Sequence, residues 1–443
     1  MKKKIALISF VLVCLWGMAA QAQKMLDVKQ PKFKKYFNDE TLRIDYYRIG
    51  NSHFDSISLV REMAATPTKA HSGWAGSKTV LLDPFDYGDF RVVVKDIASG
   101  REIYSRTYNS LFREYRDTPE GKDSVAVFEE VVNIPMPINP AKVIFQRRNE
   151  RQKFVNQAVY TWTAEKDWLA LDPNLGPEPI QLQYKGNPSE KIDVAIVAEG
   201  YGPGEEEKMQ HDLRLFMEYL FGQEPFKSRR DDFNVWGVAR LSETSGITDP
   251  CNGVYVNSIC GATFNTFNSC RYLMSAKLFQ LHDLLCRTPC DHIIIMANSK
   301  TYGGGAIYNF YAVSAVTEMA GMILPHELGH SIGGLADEYV DTELSYNGMH
   351  KEEYEPLEPN ITSLVDFKSK WADMIEEDTP VPTPPCQLSN RMDTCGPVGV
   401  YEGAGYKPKG LYRPVMNCMM NYYAPFCPVC TKALNAIFDI YCK

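Results

Sequence analysis

The HELGHSIGGLADEY segment that begins at His326 constrains the fold of this chain more than any other feature. His326 and His330 are four residues apart, so on a helix they share one face and can hold one ion through two imidazoles. The residues before His326 are apolar, which predicts a buried helix. We expect this helix to begin between Gly321 and Leu324, or to be kinked there, because a proline such as Pro325 is tolerated only in the first turn of a helix. Gly333 and Gly334 should end it. The segment therefore predicts a buried helix that carries a metal site and stops soon afterwards.

Glu327, beside the first histidine, predicts what such a site would do. Zinc lowers the pKa of water at a catalytic site towards ~7. A neighbouring carboxylate can take the proton of that water and pass it to the leaving amine of a peptide bond. Glu327 is thus the predicted catalytic base, and zinc is the predicted cofactor of a metallopeptidase.

The third metal ligand is less constrained by spacing. Metzincins extend the motif as HExxHxxGxxH, but Ala336 stands at their third-ligand position, and alanine cannot bind metal. If Gly334 makes the turn, one residue is inserted and Asp337 takes the ligand position of the Gly-x-x-ligand spacing. We therefore favour Asp337 and keep Glu338 as an alternative. A ligand further downstream, as in gluzincins, would come from Glu343, Glu352 or Glu353, whereas His350 is interpreted as an exposed histidine.

The first residues resemble a secretory signal peptide. Three lysines precede a short apolar stretch, and Ala20-Gln21-Ala22 fits a cleavage site, which makes residues 1–22 the predicted leader. The apolar stretch is too short to span a bilayer, and no later one is long enough. We therefore expect an exported protein that is secreted, periplasmic or at the cell surface, without a membrane span.

Cysteines divide the chain unequally. Twelve are present, and all except Cys14 lie between Cys251 and Cys442. In an exported protein this usage predicts disulfides. The cysteines after Cys14 number eleven, so at least one thiol stays outside any pair within the chain. Cys418, Cys427, Cys430 and Cys442 would suit a four-thiolate zinc site in a reducing compartment. In an exported chain we expect them to form disulfides.

Length and hydrophobic patterning predict two domains in an α+β chain. The 443 residues exceed the usual size of one domain. Short alternating strands, with a hairpin at residues 90–108, predict a β-sandwich over residues 23–170. A linker rich in proline and glycine follows at 171–185. Apolar strands over residues 192–198, 233–239 and 292–297 then alternate with helices over 205–221 and 273–285, which predicts an α/β catalytic domain over 186–443.

These motifs resemble the active-site region of the IgA-peptidase family of bacterial zinc metallopeptidases. The likeness covers roughly residues 185–443 and includes DVAIVAEGY at 193–201, EPF at 224–226, NVW at 234–236, PNIT at 359–362, RP at 413–414, NCMM at 417–420 and FCPVC at 426–430. It implies a zincin-like catalytic domain behind an N-terminal β-domain. By position it makes His326, His330 and Asp337 zinc ligands and Glu327 the base.

Further expectations follow for the surroundings of the site. Metzincins place a methionine beneath the metal, for which Met419 or Met420 are the best candidates and Met416 the third. An oxyanion-stabilising side chain could be Tyr339, Tyr412, Tyr422 or Arg413. The glycines at 303–305 could let a substrate backbone approach a strand edge or form a plain loop.

The most direct interpretation is an endopeptidase that acts on protein or peptide substrates. A net charge of −8 without a basic block excludes a nucleic-acid footprint. Two alternatives are a non-catalytic binding protein with a peptidase-like fold and a metal hydrolase that cleaves a non-protein amide. The presence of Glu327 argues against the first, because losing the base is the simplest route to inactivity. The oligomeric state is left open.

Overall fold

The structure is a computed structural model that describes residues 29–65, 73–163, 169–170, 172–344, 348–386 and 397–442. The predicted signal peptide lies outside these residues. Helices and several separate sheets occur together, which confirms the α+β class. Within the described ranges, no helix has both the length and the apolar character needed to cross a bilayer.

The N-terminal half consists mainly of two four-stranded sheets. Its strands are β1 (Phe37–Gly50), β2 (Asp55–Ala65), β3 (Phe90–Asp96), β4 (Glu102–Tyr108), β5 (Ala126–Pro137), β6 (Ala141–Arg148), β7 (Phe154–Trp162) and β8 (Leu169–Ala170). The sheet orders are β5-β1-β2-β8 and β4-β3-β6-β7. The predicted hairpin is confirmed, since β3 and β4 pair antiparallel. Short helices accompany the strands: α1 (Phe33–Tyr36), α2 (Leu111–Tyr115) and α3 (Pro119–Asp123).

Both of these sheets contribute to one apolar core. Leu42, Ile44 and Tyr46 alternate along β1 and are fully buried, as one inward face of a strand requires. They belong to the same cluster as Val92 and Val94 of β3 in the other sheet. Burial of this shared face stabilises the N-terminal half without any cysteine.

A six-stranded sheet organises the C-terminal half. Its strands are β9 (Ile180–Gln183), β10 (Ile192–Glu199), β11 (Phe233–Ala239), β14 (His292–Ala297), β15 (Gly304–Ile307) and β16 (Tyr311–Ala315), in the order β15-β16-β14-β10-β11-β9. The four inner strands run parallel, and the two edge strands are antiparallel to their neighbours. All eight residues of β10 are buried, because both faces of this central strand are covered.

Helices and two small hairpin-like sheets complete this half. The helices are α4 (Glu206–Leu220), α5 (Leu278–Leu284), α6 (Ala320–Ser331), α7 (Met419–Tyr422) and α8 (Pro428–Tyr441). The two-stranded sheets pair β12 (Ala262–Thr263) with β13 (Met274–Ser275) and β17 (Tyr401–Ala404) with β18 (Lys407–Arg413). Apolar faces of α4, α6 and α8 meet the large sheet in one cluster that includes Leu213, Leu324 and Phe438.

Two local expectations need correction. Part of the predicted linker forms β9, which pairs with β11 and so is an edge strand of the large sheet. The helix expected over residues 273–285 is shorter, because Met274–Ser275 pairs with Ala262–Thr263 and α5 begins only at Leu278. In both places a tertiary hydrogen-bond partner decides the local conformation. The division into domains at 170 and 185 stays a prediction.

The disulfide expectation is correct in one region and wrong in another. Cys251 and Cys270 form a disulfide, and Cys386 is also disulfide-bonded. The four cysteines near the C-terminus are instead free thiols: Cys418, Cys427, Cys430 and Cys442. The Sγ atoms of Cys418 and Cys430 are 3.7 Å apart, well beyond the ~2.05 Å of a disulfide bond.

Candidate metal centre and active-site cleft

Helix α6 carries the central motif in a buried position. It begins at Ala320, just before the expected start between Gly321 and Leu324, so Pro325 lies inside it. A proline there removes one helical hydrogen bond. Leu324 and Leu328, on either side, are fully buried in the large cluster, and this packing outweighs the local cost.

The structure brings His326, His330 and Asp337 to one point. The Nε2 atoms of the two histidines are 3.2 Å apart. Asp337 Oδ1 lies 3.2 Å from Nε2 of His326 and 3.3 Å from Nε2 of His330. Donor atoms that share one tetrahedral zinc at ~2.0–2.2 Å would be about 3.3–3.5 Å apart. The set therefore fits a zinc ion in both spacing and ligand type.

Hydrogen bonds to backbone carbonyls orient both imidazoles. Nδ1 of His326 is 2.9 Å from the carbonyl oxygen of Met419, and Nδ1 of His330 is 2.7 Å from that of Leu335. A carbonyl can only accept, so each Nδ1 must donate its proton. The Nε2 lone pairs are left facing Asp337, which is the usual arrangement around a protein-bound metal.

A turn at Gly334 places Asp337 next to the two histidines. Gly334 adopts a left-handed conformation with φ of 59° and donates to the carbonyl of His330. The turn is thus at Gly334, as the Asp337 interpretation requires. Tyr406 then fixes the carboxylate, since its hydroxyl donates to Asp337 Oδ2 at 2.5 Å. Oδ1 has no hydrogen-bond partner among the described residues.

The other candidates for the third ligand lie elsewhere. Glu338 is buried within a separate cluster with three cysteines. Glu343, Glu352 and Glu353 are exposed. The expectation that His350 is exposed is wrong: it is buried, with Nδ1 3.7 Å from Glu358 Oε2.

Charge and burial set the electrostatics of the centre. Burial alone would lower the pKa of His330, but the Asp337 carboxylate outweighs burial and raises that pKa to about 9. The two histidines hold the pKa of Asp337 well below its usual range against the opposing effect of burial. Burial raises the pKa of Glu327, and the neighbouring histidines act in the opposite direction.

The centre opens into a cleft of about 540 Å³. Glu327 lines this cleft together with the edge strand β15. A Cβ atom on Gly304 would lie 2.8 Å from Oε1 of Glu327, so only glycine lets the strand pass this close to the carboxylate. The expected glycine run is therefore a strand edge at the cleft. The backbone of Gly304 already forms two hydrogen bonds: its N–H donates to the carbonyl of Arg271, and its carbonyl accepts from the N–H of Leu273.

The N-terminal half forms one wall of the cleft, although no motif in this half predicted such a role. Helix α2 and the residues before it contribute Asn109, Ser110, Arg113 and Glu114. Tyr272 donates to Glu114 at 2.6 Å, and burial nevertheless raises the pKa of Glu114 to about 7. No signal in the sequence linked this helix to the motif, since the contact is made entirely by tertiary packing.

Tyrosines complete the rim near the histidines. The ring of Tyr423 meets the ring of His326 with centroids 5.6 Å apart, and its hydroxyl is 2.5 Å from that of Tyr302. Sequence reasoning missed both residues. Of the earlier oxyanion candidates, Tyr339, Tyr422 and Arg413 line the cleft, whereas Tyr412 is not among its lining residues.

The methionine segment packs against helix α6. Met419 and Met420 are both fully buried. A Cβ atom on Gly329 would clash with Sδ of Met420, at a distance of 2.5 Å. The carbonyl of Met419 holds His326, and that of Met420 accepts from the backbone of Glu338 at 2.7 Å. This segment therefore supports both ends of the stretch from His326 to Glu338.

Comparisons with known proteins agree with the resemblance seen in the motifs. The model of the IgA peptidase M64 family matches residues 180–393 and 386–438. The model of the peptidase M64 N-terminus matches residues 32–159. A search of curated proteins finds no match. Because the first match alone covers more than half of the chain, this protein belongs to the IgA peptidase M64 family.

Proposed function

We propose that this protein is an exported zinc metallo-endopeptidase with Glu327 as its general base. The observation that carries the proposal is the convergence of His326, His330 and Asp337 in the cleft that Glu327 lines. In this proposal the C-terminal half is a zincin-like catalytic domain, and the N-terminal half is a β-sandwich that closes one side of the cleft. Membership in a peptidase family supports a protein substrate.

Each side chain of the motif has a role in hydrolysis. His326, His330 and Asp337 would hold the zinc through Nε2, Nε2 and Oδ1. When bound, zinc supplies Lewis acidity, which polarises a carbonyl and makes water more acidic. Glu327 takes a proton from the attacking water and returns it to the leaving amine. Its raised pKa brings its proton affinity closer to neutral pH, which suits both transfers.

The rim of the cleft would position the substrate. The β15 edge offers backbone groups beside Glu327, so an extended substrate chain can align along Gly305, Ala306 and Ile307. The ring of Tyr423 packs against the ring of His326, and its hydroxyl group meets that of Tyr302 at the rim. One of these hydroxyls would stabilise the negative charge that develops on the carbonyl oxygen.

An oxidising location agrees with the disulfide between Cys251 and Cys270. Together with the leader-like residues 1–22, it supports export to the periplasm, the cell surface or the medium.

The decisive experiment is digestion of a mixture of denatured proteins, with and without a chelator. Fragments would be identified by mass spectrometry, and the Glu327→Gln protein would be the matched control. We expect cuts that chelation abolishes, zinc restores and the variant does not make. Cuts that persist in the variant would refute the role of Glu327. A zinc-loaded protein that cuts no protein in the mixture would contradict a general endopeptidase.

A further inference from the structure

We propose a second zinc site, formed by Cys418, Cys427, Cys430 and Glu338 and distinct from the centre in the cleft. Each of these four residues is fully buried. Their sulfur and carboxylate ligand atoms all lie within 4.8 Å of one another. Three segments supply them: the turn after α6, the residue before α7, and the first turn of α8.

The distances fit one tetrahedral ion. Sγ of Cys418 is 3.7 Å from Sγ of Cys430, and Sγ of Cys430 is 3.3 Å from Oε1 of Glu338. Zinc–sulfur bonds of ~2.3 Å place two sulfurs about 3.8 Å apart, and a zinc–oxygen bond of ~2.0 Å places sulfur and oxygen about 3.5 Å apart. Disulfide formation would require a much shorter sulfur–sulfur distance.

The surroundings suit thiolates. The backbone N–H of Cys427 donates to Sγ of Cys418 at 3.3 Å, and that of Cys430 donates to Sγ of Cys427 at 3.4 Å. Cys427 caps the N-terminus of α8, where the helix dipole favours negative charge. The Cys427-Pro-Val-Cys430 spacing is the two-residue interval common in structural zinc sites.

Glu338 supplies an independent indication. Its Oε1 accepts from Nδ2 of Asn360 at 2.9 Å. Its Oε2 is buried and has no hydrogen-bond partner in the part of the chain that the structure describes. A buried carboxylate oxygen without a partner is costly, and a metal ion bound by this carboxylate would offset that cost. Thiolates select zinc over harder divalent ions such as magnesium and calcium.

Four protein ligands leave no coordination position open, so this site would be structural rather than catalytic. It would bind the turn that contains Asp337 to the segment that contains Met419, whose carbonyl holds His326. Glu338 directly follows Asp337 in the chain, and its N–H donates to Met420. The second ion would thus position ligands of the first.

The test is metal analysis and cobalt spectroscopy of the full chain, purified without oxygen. We expect about two zinc ions per chain. After cobalt exchange we expect a sulfur-to-cobalt charge-transfer band, which the cleft site cannot produce because it contains no sulfur. The His326→Ala/His330→Ala protein should lose one ion and retain the band. The Cys427→Ser/Cys430→Ser protein should lose the band, while Cys442→Ser, which changes a thiol outside the cluster, should retain it.

Several outcomes would overturn the proposal. One is a wild-type chain without the band. Another is a single zinc that disappears in the histidine variant. A third is a disulfide among Cys418, Cys427 and Cys430, detected by mass spectrometry. Because the wild-type spectrum is informative by itself, failure of the cysteine variant to fold does not prevent the test. None of these readouts depends on peptidase activity.

Discussion

Asp337 and Glu338 are neighbours in sequence but belong to two different ligand clusters. Asp337 joins two histidines at the edge of a cleft, whereas Glu338 joins three cysteines in the closed interior. The first set offers three potential ligands, through nitrogen and oxygen, and Glu327, the proposed base, lies beside it. The second has four, mostly sulfur. Openness to the cleft and the number of ligands, rather than the presence of metal-binding residues, therefore distinguish a proposed catalytic site from a structural one.

The largest effect should come from Glu327→Gln, which tests whether the open cluster performs the chemistry. The amide has the shape of the carboxylate but cannot take a proton, so turnover should fall by about 10²–10⁴-fold. Zinc content should stay at the wild-type value, because Glu327 is not a ligand. Peptide hydrolysis and metal analysis would measure the two quantities. A loss of zinc together with activity would mean that Glu327 supports the site instead.

Asp337→Ala should empty the open cluster while sparing the closed one. Removing an anionic ligand should weaken zinc binding in the cleft by at least about 100-fold. Competition with a chromophoric chelator would measure this affinity. Glu343→Ala is the matched control, since Glu343 is an exposed carboxylate nearby in the chain. Unchanged affinity in Asp337→Ala would assign the third ligand to another residue.

Arg113→Gln tests whether the contact between the N-terminal wall of the cleft and the C-terminal half stabilises the protein. Arg113 pairs with Glu358 at 2.7 Å across the two halves, and both side chains are largely buried. Breaking the pair leaves Glu358 without its main partner and should destabilise the protein by about 3 kcal/mol. Urea unfolding would measure this loss. Arg116→Gln is the control, because Arg116 pairs with Asp89 within the N-terminal half and should cost less. Equal losses would contradict a special role for the contact between halves.

Tyr406→Phe should have a smaller effect on the open cluster. It removes the hydroxyl that donates to Asp337 Oδ2 but leaves the ligand itself. We expect zinc affinity in the cleft to fall about 10-fold. Tyr401→Phe in β17, the strand before the turn that contains Tyr406, is the control, since its hydroxyl donates to the carbonyl of Pro397 instead. A similar decrease in both proteins would indicate a general loosening of this sheet.

Low pH should weaken the Arg113–Glu358 contact, and the resulting loss of stability is the smallest of the expected effects. Burial would raise the pKa of Glu358, but Arg113 outweighs it and holds the pKa at about 2. The stabilisation from this depressed pKa is complete above the unfolded value of ~4.3 and is lost as pH falls through about 2. Between these values it should change by at most about 1.4 kcal/mol per pH unit. Unfolding measured from pH 5 to 2 should show this slope in wild type and less of it in Arg113→Gln.

Prediction from sequence worked best where pattern and local chemistry agree. Strands β10, β11 and β14 are short apolar runs, and α4 has one apolar face, so each was predicted within a residue or two. The expectation for residues 273–285 failed because the pairing of Met274–Ser275 with another segment outweighed an apolar pattern that also suits a helix. The prediction that the C-terminal cysteines form disulfides was wrong, because neither the predicted compartment nor the number of cysteines determines which sulfur atoms lie within bonding distance.

The family and the α+β class could be predicted from the amino-acid sequence alone, and the motif supplied the proposed roles of its residues. Spacing along one helix is a local property, so His326, Glu327 and His330 could be placed without a structure. Only the tertiary structure decided that Gly334 turns Asp337 towards the histidines and that Glu338 turns to the thiols instead. It also decided that α2, far away in the chain, forms a wall of the cleft. The contact between Glu338 and Cys430 joins residues that are 92 positions apart in the chain, and no local pattern encodes it.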